Sequence, residues 1–279
     1  MIVVVTYRRA WIDVNAIASL RRLCDASAGL RIASRQVLIY ENGDAPSLGS
    51  DAAAAGFQYV ANRTNGGTRP AYVACRANAS RLGLDWMVLL DHDTVTTPQY
   101  FAALAGAIVD ESPPSSRVGA IVPQVFDGQV LISPSSLHYA GRLVPQRSLA
   151  TTDRNSSAIA SGSAFRCTAF DRLAPLPEHY WLDGLDHWMF WKLQRTGFSV
   201  RILDSRLEHS LSVRTLHAVT VQRYKDIVAS EVHLSIDTMH WTERLVFRLR
   251  LLLRAAILVR RRLPVHATIA WSAAWRGTT

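Results

Sequence analysis

Short apolar runs alternate with segments of helical spacing through the first 111 residues, and this alternation constrains the fold more than any other feature. The first run, IVVVTY, is rich in β-branched residues, as is typical of a strand buried on both faces. The predicted strands are 2–7, 37–40, 57–61 and the run WMVLLDHD from residue 86. The predicted helices are 13–28, TRPAYVACRANASRLGL with Pro70 in its first turn, and TPQYFAALAGAIVDE with Thr97 as N-cap and Pro98 as first residue. This order predicts an α/β fold with a doubly wound, Rossmann-like, mostly parallel sheet flanked by helices.

The pattern loosens after residue 111. The segment VGAIVPQVFD predicts another strand, and residues 127–157, rich in Ser, Pro and Arg, predict a loop or a hairpin insertion. AIASGSAFRCTAF begins with small residues and leads into a helix. The segment that follows predicts an aromatic loop, a helix and a strand that runs to His209.

Length and composition limit the number of domains, the cellular compartment and the class of partner that we expect. The chain has 279 residues, 49% of them hydrophobic, which suits one large domain or a domain with an appendage. Cys24, Cys75 and Cys167 are far apart and show no CxxC spacing, so we expect reduced core thiols in a cytosolic protein rather than a disulfide framework or zinc site. The N-terminal apolar run is too short for a signal peptide, and no transmembrane helix is predicted. The net charge of +9 indicates an anionic partner.

Polar residues follow each of the four predicted strands. These strand ends are Thr6–Tyr7, Glu41–Asn42, Asn62–Gly67 and Asp91–Asp93. In a doubly wound parallel sheet, ligands bind beyond the carboxyl ends of the strands. We therefore expect these four segments to line one crevice.

Asp91 and Asp93 carry the clearest chemistry in this crevice. They end a strand one residue apart, so both carboxylates point the same way and His92 points the other way. Two carboxylates in this arrangement would repel each other, and a hard divalent cation would remove the repulsion and bridge to phosphate oxygens. The alternative is that both are surface aspartates that cap the turn at Thr94.

The other strand ends carry groups suited to an anion and a nucleoside. Gly66 and Gly67 precede a predicted helix N-terminus with Arg69 beside it, where backbone N–H groups can receive an anion. An ordinary tight turn is the alternative. Glu41 could accept hydrogen bonds from ribose hydroxyls or a base edge, or could be a solvated loop acid. The remaining candidates for contact with a nucleotide are Thr6, Tyr7, Arg8, Asn42 and Asn65.

Two acidic residues and a histidine stand out in the second half of the chain. Asp186 opens a predicted helix among aromatic residues and could act as a general base. The alternative is that Asp183 is the N-cap and Asp186 completes a capping arrangement. His209 follows a predicted strand and could ligate a metal through its neutral imidazole, or could be structural.

The ordered set of motifs resembles the inverting nucleotide-sugar glycosyltransferases of the GT-A fold. The matching segments are VVVTY, ENG, NRTNGGTRPAY, LLDHDT, ASGSAF, WLDGLDHWMFWKLQRTGF and EH. The most similar branch is that of the bacterial rhamnosyltransferases that build O-antigen and related surface polysaccharides. The resemblance covers residues 1–212 and implies a nucleotide-binding half at 1–111, an acceptor and catalytic half at 112–212, and a separate helical region at 213–279.

The resemblance also implies roles for individual residues. Asp91 and Asp93 would bind Mg or Mn and the sugar-nucleotide diphosphate, and His209 would complete the metal site. Asp186 would be the catalytic base, because it stands six residues before the basic Lys192. Glu41 matches the aspartate that binds the base. The residues expected near the sugar and the acceptor are Ser161, Gly162, Ser163, Trp181 and Asp183.

Three positions depart from the pattern of that family: His92 in place of glutamine, Glu41 in place of aspartate, and Trp188 in place of an acidic residue. They keep open a non-catalytic relative that binds sugar nucleotides and docks on membranes or another transferase. A metal-dependent phosphohydrolase is a further alternative. The resemblance implies dTDP-rhamnose as donor, with UDP-sugars as the alternative, and a glycan or lipid-linked glycan as acceptor.

The last part of the chain is basic and amphipathic. In the predicted helix 239–263, one stripe is apolar and the arginines lie elsewhere. The stripe consists of Leu245, Val246, Leu249, Leu252, Leu253, Ala256 and Ile257, and the arginines are Arg244, Arg248, Arg250, Arg254 and Arg261. This pattern favours contact with the anionic inner face of the plasma membrane, with packing on the domain or dimerisation as alternatives. No nucleic-acid-binding motif accompanies the charge, so a nucleic-acid partner is not expected.

Overall fold

The computed structural model describes residues 1–24, 32–43, 49–149, 151–152, 154–208 and 219–276. The strands are β1 (Ile2–Tyr7), β2 (Val37–Asn42), β3 (Gln58–Asn62), β4 (Trp86–Asp91), β5 (Val118–Asp127), β6 (Val130–Ser133), β7 (Ser135–His138), β8 (Arg142–Pro145), β9 (Ser156–Ser157), β10 (Ser163–Arg166) and β11 (Ser199–Glu208). The helices are α1 (Asn15–Cys24), α2 (Gly49–Ala54), α3 (Arg69–Arg81), α4 (Pro98–Asp110), α5 (Cys167–Asp171), α6 (Leu185–Arg195), α7 (Val221–Thr238), α8 (Trp241–Arg260) and α9 (Pro264–Arg276).

One large sheet organises the chain, with the strand order β11-β5-β10-β4-β1-β2-β3 and β6 paired to β5. β1, β2, β3 and β4 are parallel, and β11 is parallel to β5. β10 lies antiparallel between β4 and β5. The carboxyl ends of the parallel strands and the start of β10 therefore meet at the same edge of the sheet.

The sheet is buried on both faces because side chains alternate along each strand. Val3 and Val5 of β1 face a core cluster that includes residues of α3, α5 and α6. Ile2 and Val4 face a second cluster that includes residues of α1 and α4. The doubly wound α/β arrangement predicted from the sequence is thus confirmed, and its rigid layers fix the positions of the strand ends.

The predicted elements agree with the observed ones to within a few residues. Thr97 caps α4, since its side chain accepts a hydrogen bond from the Tyr100 amide, and Pro98 is the first helical residue. The helix predicted at 13–28 is α1, and residues 25–31 lie outside the described part of the chain. The insertion predicted at 127–157 contains a small sheet in which β7 pairs with β8 and β9. The sequence reading did not identify α2, β10, α7 or α9 individually.

The C-terminal helices α7, α8 and α9 share a core of their own, formed by small and branched residues such as Val228, Leu251, Leu258 and Ala270. α7 is tied to the loop before α6 by Tyr180, whose hydroxyl donates to Asp237 at 2.9 Å. Among the described helices, none has the length and apolar character needed to cross a membrane.

Candidate active site

The end of β4 and the start of β10 meet at the carboxyl edge of the sheet. Ser161 donates a hydrogen bond to Asp91 Oδ2 at 2.6 Å, and its hydroxyl lies 2.8 Å from that of Thr94. Gly162 donates its N–H to the Leu89 carbonyl at 2.8 Å. The buried Ser161 therefore orients the Asp91 carboxylate, which is the kind of support that positions a ligand-binding acid.

The neighbouring residues of this turn are held by buried hydrogen bonds. Tyr100 of α4 donates to the Gly162 carbonyl at 2.7 Å, and Ser163 donates to the Ile159 carbonyl at 2.7 Å. Ser161, Gly162 and Ser163 are all buried. The structure thus places the serine–glycine segment directly beneath the edge, with its Ser161 hydroxyl on the first aspartate of the Asp-x-Asp pair.

The charges of Asp91 and Asp186 act on the same buried side chain, Tyr72. Burial raises the pKa of Tyr72 in α3 well above its ordinary value, and the negative charges of Asp91 and Asp186 raise it further. The two aspartates come from distant parts of the sequence, yet both lie close enough to Tyr72 to act on its phenol. Sequence reasoning missed Tyr72, because nothing but its place in α3 distinguishes it from an ordinary core tyrosine.

Asp186 lies in the first turn of α6, and its Oδ1 accepts the backbone N–H of His187 at 2.8 Å. The N-cap of α6 is Gly184, with φ of 79° and no side-chain capping bond. The alternative interpretation in which Asp183 caps the helix is therefore wrong. Asp183 instead forms a two-pronged ion pair with Arg223 of α7.

The glycine turn before α3 is locked against the loop before α6. Gly67 has φ of 73°, and a Cβ at this position would lie 1.6 Å from the Trp181 carbonyl oxygen. Thr68 donates its N–H to that carbonyl at 3.2 Å, and the Trp181 indole donates to the Asn65 carbonyl at 2.8 Å. Asn42 donates to the Gly67 carbonyl at 2.6 Å. These bonds join the ends of β2 and β3 to the loop that carries Asp183.

The end of β1 contributes a mixed surface. Thr6 is buried, and its hydroxyl is without a hydrogen-bond partner among the described residues. Tyr7 is exposed, with the Arg8 guanidinium 5.2 Å from its ring centre, and Arg8 itself has a positive φ of 52°.

In the turn before α3, Gly66 is partly exposed and lies beside Pro70.

Two charged side chains of the predicted nucleotide site are paired within the protein. Glu41 is buried, and Tyr59 donates a short hydrogen bond to its carboxylate. Arg69 lies 3.1 Å from Glu178, whose side chain is largely exposed. Glu41 is thus held in one orientation at the end of β2, whereas the Arg69 pair lies at the surface, where water competes for both groups.

A divalent cation has a suitable, incomplete ligand set at this edge. Asp91 and Asp93 are both partly exposed where β4 ends, and two carboxylates with phosphate oxygens and water are ligands that Mg2+ commonly takes. No group of three His, Cys, Asp or Glu suited to a metal occurs within the described ranges. His209, the predicted third ligand, lies outside them. Glu208, the residue before it, pairs with Val95, two residues beyond Asp93.

An open cavity of about 900 Å³ is lined by His187, the residue after Asp186. Its walls include His187 and Trp191 of α6, Ser157 of β9 and Met239 before α8. The Ser157 hydroxyl lies 2.6 Å from His187 Nδ1. The cavity presents an aromatic ring and hydroxyl groups, which are the groups that commonly contact sugars.

Comparison with known proteins finds similarity at the level of structure only. No known protein-family profile and no curated protein sequence matches the chain. The structure of S. aureus TarS 1–349 in complex with UDP-GlcNAc has a TM-score of 0.56 and 12% identity, covering 98% of this chain and 78% of that chain. Glucosyl-3-phosphoglycerate synthase from Mycobacterium tuberculosis, in complex with Mg2+ and UDP, has a TM-score of 0.52 and 14% identity, covering 84% and 79%. The chain therefore has the GT-A fold predicted from its sequence.

Proposed function

We propose that the protein is a nucleotide-sugar glycosyltransferase that inverts the anomeric centre, with Asp186 as general base. The observation that carries this proposal is the position of Asp91, held by Ser161 where β4 ends at the carboxyl edge of a GT-A sheet, together with Asp186 in the first turn of α6. Ligands of doubly wound sheets bind at this edge. The similar structures of TarS and glucosyl-3-phosphoglycerate synthase contain UDP-GlcNAc and UDP with Mg2+, respectively, which supports a nucleotide-sugar donor.

In this proposal the donor lies across the ends of β1, β2, β3 and β4. The nucleoside contacts the surface made by Thr6, Tyr7 and Arg8 and the end of β2 at Glu41 and Asn42. The N–H groups at the start of α3 face the diphosphate, and Arg69 can leave its surface pair with Glu178 to reach it. The glycine turn holds this wall in place through Asn42 and Trp181.

The proposed cation is Mg or Mn, held by Asp91 and Asp93 with His209 as a further ligand. When bound, it would supply positive charge to the diphosphate oxygens and so stabilise the leaving nucleotide. Ser161 would keep the Asp91 carboxylate oriented toward it.

The transfer itself is one displacement. Asp186 accepts the proton of an acceptor hydroxyl, and that oxygen forms a bond to the anomeric carbon from the face opposite the diphosphate. The bond from the anomeric carbon to the diphosphate oxygen breaks, and its electron pair leaves with the nucleoside diphosphate. The acceptor lies in the cavity beside His187, and the product carries the inverted configuration. Trp181 and Asp183, the other residues proposed near the acceptor, line a separate and smaller cavity with His179 and Ser230.

The finer proposal follows the sequence resemblance. The donor is dTDP-rhamnose, or a UDP-sugar as the alternative, and the acceptor is a glycan or lipid-linked glycan in bacterial surface polysaccharide synthesis. The protein acts in the cytoplasm, at the inner face of the plasma membrane. Neither part of this finer proposal requires a nucleic-acid partner.

A thermal-shift screen against UDP-sugars and dTDP-rhamnose, each with Mg2+ or Mn2+, tests the donor. A true donor should raise the melting temperature, because ligand that binds only the folded state stabilises it. Asp186→Asn should keep that stabilisation and lower the transfer rate by about a hundredfold to ten-thousandfold, the range measured for loss of a general base. Asp204→Asn, an exposed acid in β11, is the matched control and should change neither quantity.

The same experiment separates the alternatives. A wild-type protein that binds donor and shows no transfer with any acceptor is a binding protein. Donor hydrolysis that is fast and independent of acceptor indicates a phosphohydrolase. Either result would replace the transferase proposal.

A further inference from the structure

Most of the apolar stripe of α8 points away from the rest of the protein. α8 packs through Leu251, Ala255 and Leu258, which are buried against the core shared with α7 and α9. At 100° per residue, these positions lie about 180° around the helix from the middle of the stripe. Of the stripe predicted from the sequence, Leu252 packs against this core, whereas Leu245, Leu249, Leu253 and Ile257 do not belong to it and are exposed.

The stripe is exposed over four turns of the helix. Leu245, Leu249, Leu253 and Ile257 follow one another at four-residue spacing, and each is between 44% and 62% exposed. A single exposed leucine is ordinary, but a contiguous row of large apolar side chains on a helix surface marks an interaction site. We name this row, with the residues of α9 described next, the apolar outer face.

α9 carries further exposed apolar and aromatic residues. Val265, Trp271 and Trp275 lie on the exposed side of α9, and the two tryptophan rings are 6.1 Å apart. The opposite side of α9, with Ala267, Ala270 and Ala274, is buried. Tryptophan prefers the boundary between water and the lipid headgroups, because its ring is apolar and its N–H is polar.

Positive charge flanks the apolar outer face. Seven arginines and a single acidic residue, Glu243, lie between Trp241 and Arg262. Arg248, Arg260 and Arg261 are exposed. Arg254 pairs with Glu231 of α7, so it supports packing rather than the surface.

We propose that the apolar outer face binds the surface of an anionic lipid bilayer, with leucines and tryptophans in the headgroup boundary and arginines on the lipid phosphates. An amphipathic helix with an apolar face and flanking arginines binds such a surface through apolar contact with the lipids and through electrostatic attraction to their phosphates. A second copy of the chain fits the face less well, because a symmetric pairing would bring two arginine-rich flanks together. The inference stands on these two helices alone and does not depend on the proposed transferase activity.

Vesicle co-sedimentation with the full chain tests the proposal. The protein should pellet with vesicles of equal parts phosphatidylglycerol and phosphatidylcholine, and much less with phosphatidylcholine alone. Binding to the anionic vesicles should weaken as salt rises, since ions screen exposed charges.

Two sets of substitutions measure separately the apolar and the electrostatic contributions to vesicle binding. Leu249→Ser with Leu253→Ser should weaken vesicle binding by roughly tenfold or more, because both side chains lose apolar contact with lipid. Val109→Ser on α4, an apolar residue elsewhere that is even more exposed, should leave binding unchanged. Arg260→Gln with Arg261→Gln should weaken binding by about fivefold for each arginine, and Arg21→Gln with Arg22→Gln on α1 is the matched control.

The outcomes are distinct. Equal pelleting with and without anionic vesicles, or unchanged binding of the Leu249/Leu253 variant, would overturn the proposal. Dimerisation that is lost in that variant, without vesicle binding by the wild type, would assign the face to a second copy. Melting temperature in the absence of vesicles checks that each variant is folded. Donor-induced thermal stabilisation, measured in parallel, reports on the transferase proposal independently of this surface.

Discussion

Replacing Gly67 with alanine should separate two walls of the candidate site. Gly67 occupies the left-handed region, and the added Cβ would lie 1.6 Å from the Trp181 carbonyl oxygen. A flexible side chain could move aside from such a contact, but this neighbour is backbone. The turn before α3 and the loop before α6 must therefore move apart.

The expected cost can be worked out from the contacts. An alanine in the left-handed region costs about 1–2 kcal/mol. Separation of the two backbones also breaks the bonds from Thr68 to Trp181 and from Trp181 to Asn65, at about 0.5–1.5 kcal/mol each. The free energy of unfolding should therefore fall by about 2–5 kcal/mol in total.

Gly83→Ala is the control for this prediction. Gly83 also has a positive φ, of 64°, but no atom of the described residues lies within 4 Å of its would-be Cβ, so only the backbone cost of about 1–2 kcal/mol applies. Urea denaturation followed by circular dichroism measures both variants. Gly67→Ala should also lose donor-induced thermal stabilisation, and Gly83→Ala should keep it. Equal losses of stability in the two variants would refute the close approach of Gly67 to Trp181.

Two further predictions concern groups outside the candidate site. Burial, and after it the charge of His179, lowers the pKa of His233 from 6.5, so the unfolded chain binds this proton more readily and the free energy of unfolding should decline as pH falls through about 6.5. His233→Gln should flatten that decline when urea denaturation is measured at a series of pH values. An unchanged pH dependence in this variant would contradict the prediction. Burial raises the pKa of the Cys75 thiol to about 12, and Cys24 and Cys167 are also buried. Ellman's reagent at neutral pH should therefore label the native protein no faster than the protein unfolds, and should label all three thiols in urea. A thiol that reacts at once in the native protein would show that one of these cysteines is accessible to solvent.

Sequence reasoning located most of the central sheet, because the periodicity of its side chains reflects burial on both faces. β1 and β5 have the bounds that their apolar runs predicted, and β4 ends at Asp91. β10 was missed because SAFR is too short to show a period. Its strand conformation is fixed by pairing with β4 on one side and β5 on the other, which are partners that a local reading does not contain.

Site residues that stand at the end of a strand could be placed from the sequence, whereas contacts between two loops could not. Asp91 stands at a strand end, and the rule for ligands at carboxyl edges placed it correctly at the edge of the sheet. The contact of Gly67 with Trp181 joins two loops far apart in the chain, so neither segment alone predicts it. Tyr59 on Glu41 and Arg223 on Asp183 are likewise long-range pairs that depend on how whole elements pack. The predicted metal ligand His209 stays a prediction, as do the roles assigned to the other site residues.

The antiparallel course of β10 has a consequence for how this protein could diversify. β6 pairs with the end of β5, and β10 begins at the same rim of the sheet, so the stretch 134–160 leaves the large sheet after β6 and returns to it at β10. Lengthening or shortening such a closed excursion shifts no strand register, and its entropic cost grows slowly with length. That stretch also supplies Ser136 and Ser157 to the lining of the cavity that Trp191 shares. Relatives could therefore exchange it to accommodate different molecules while the carboxylate-bearing scaffold stays unaltered.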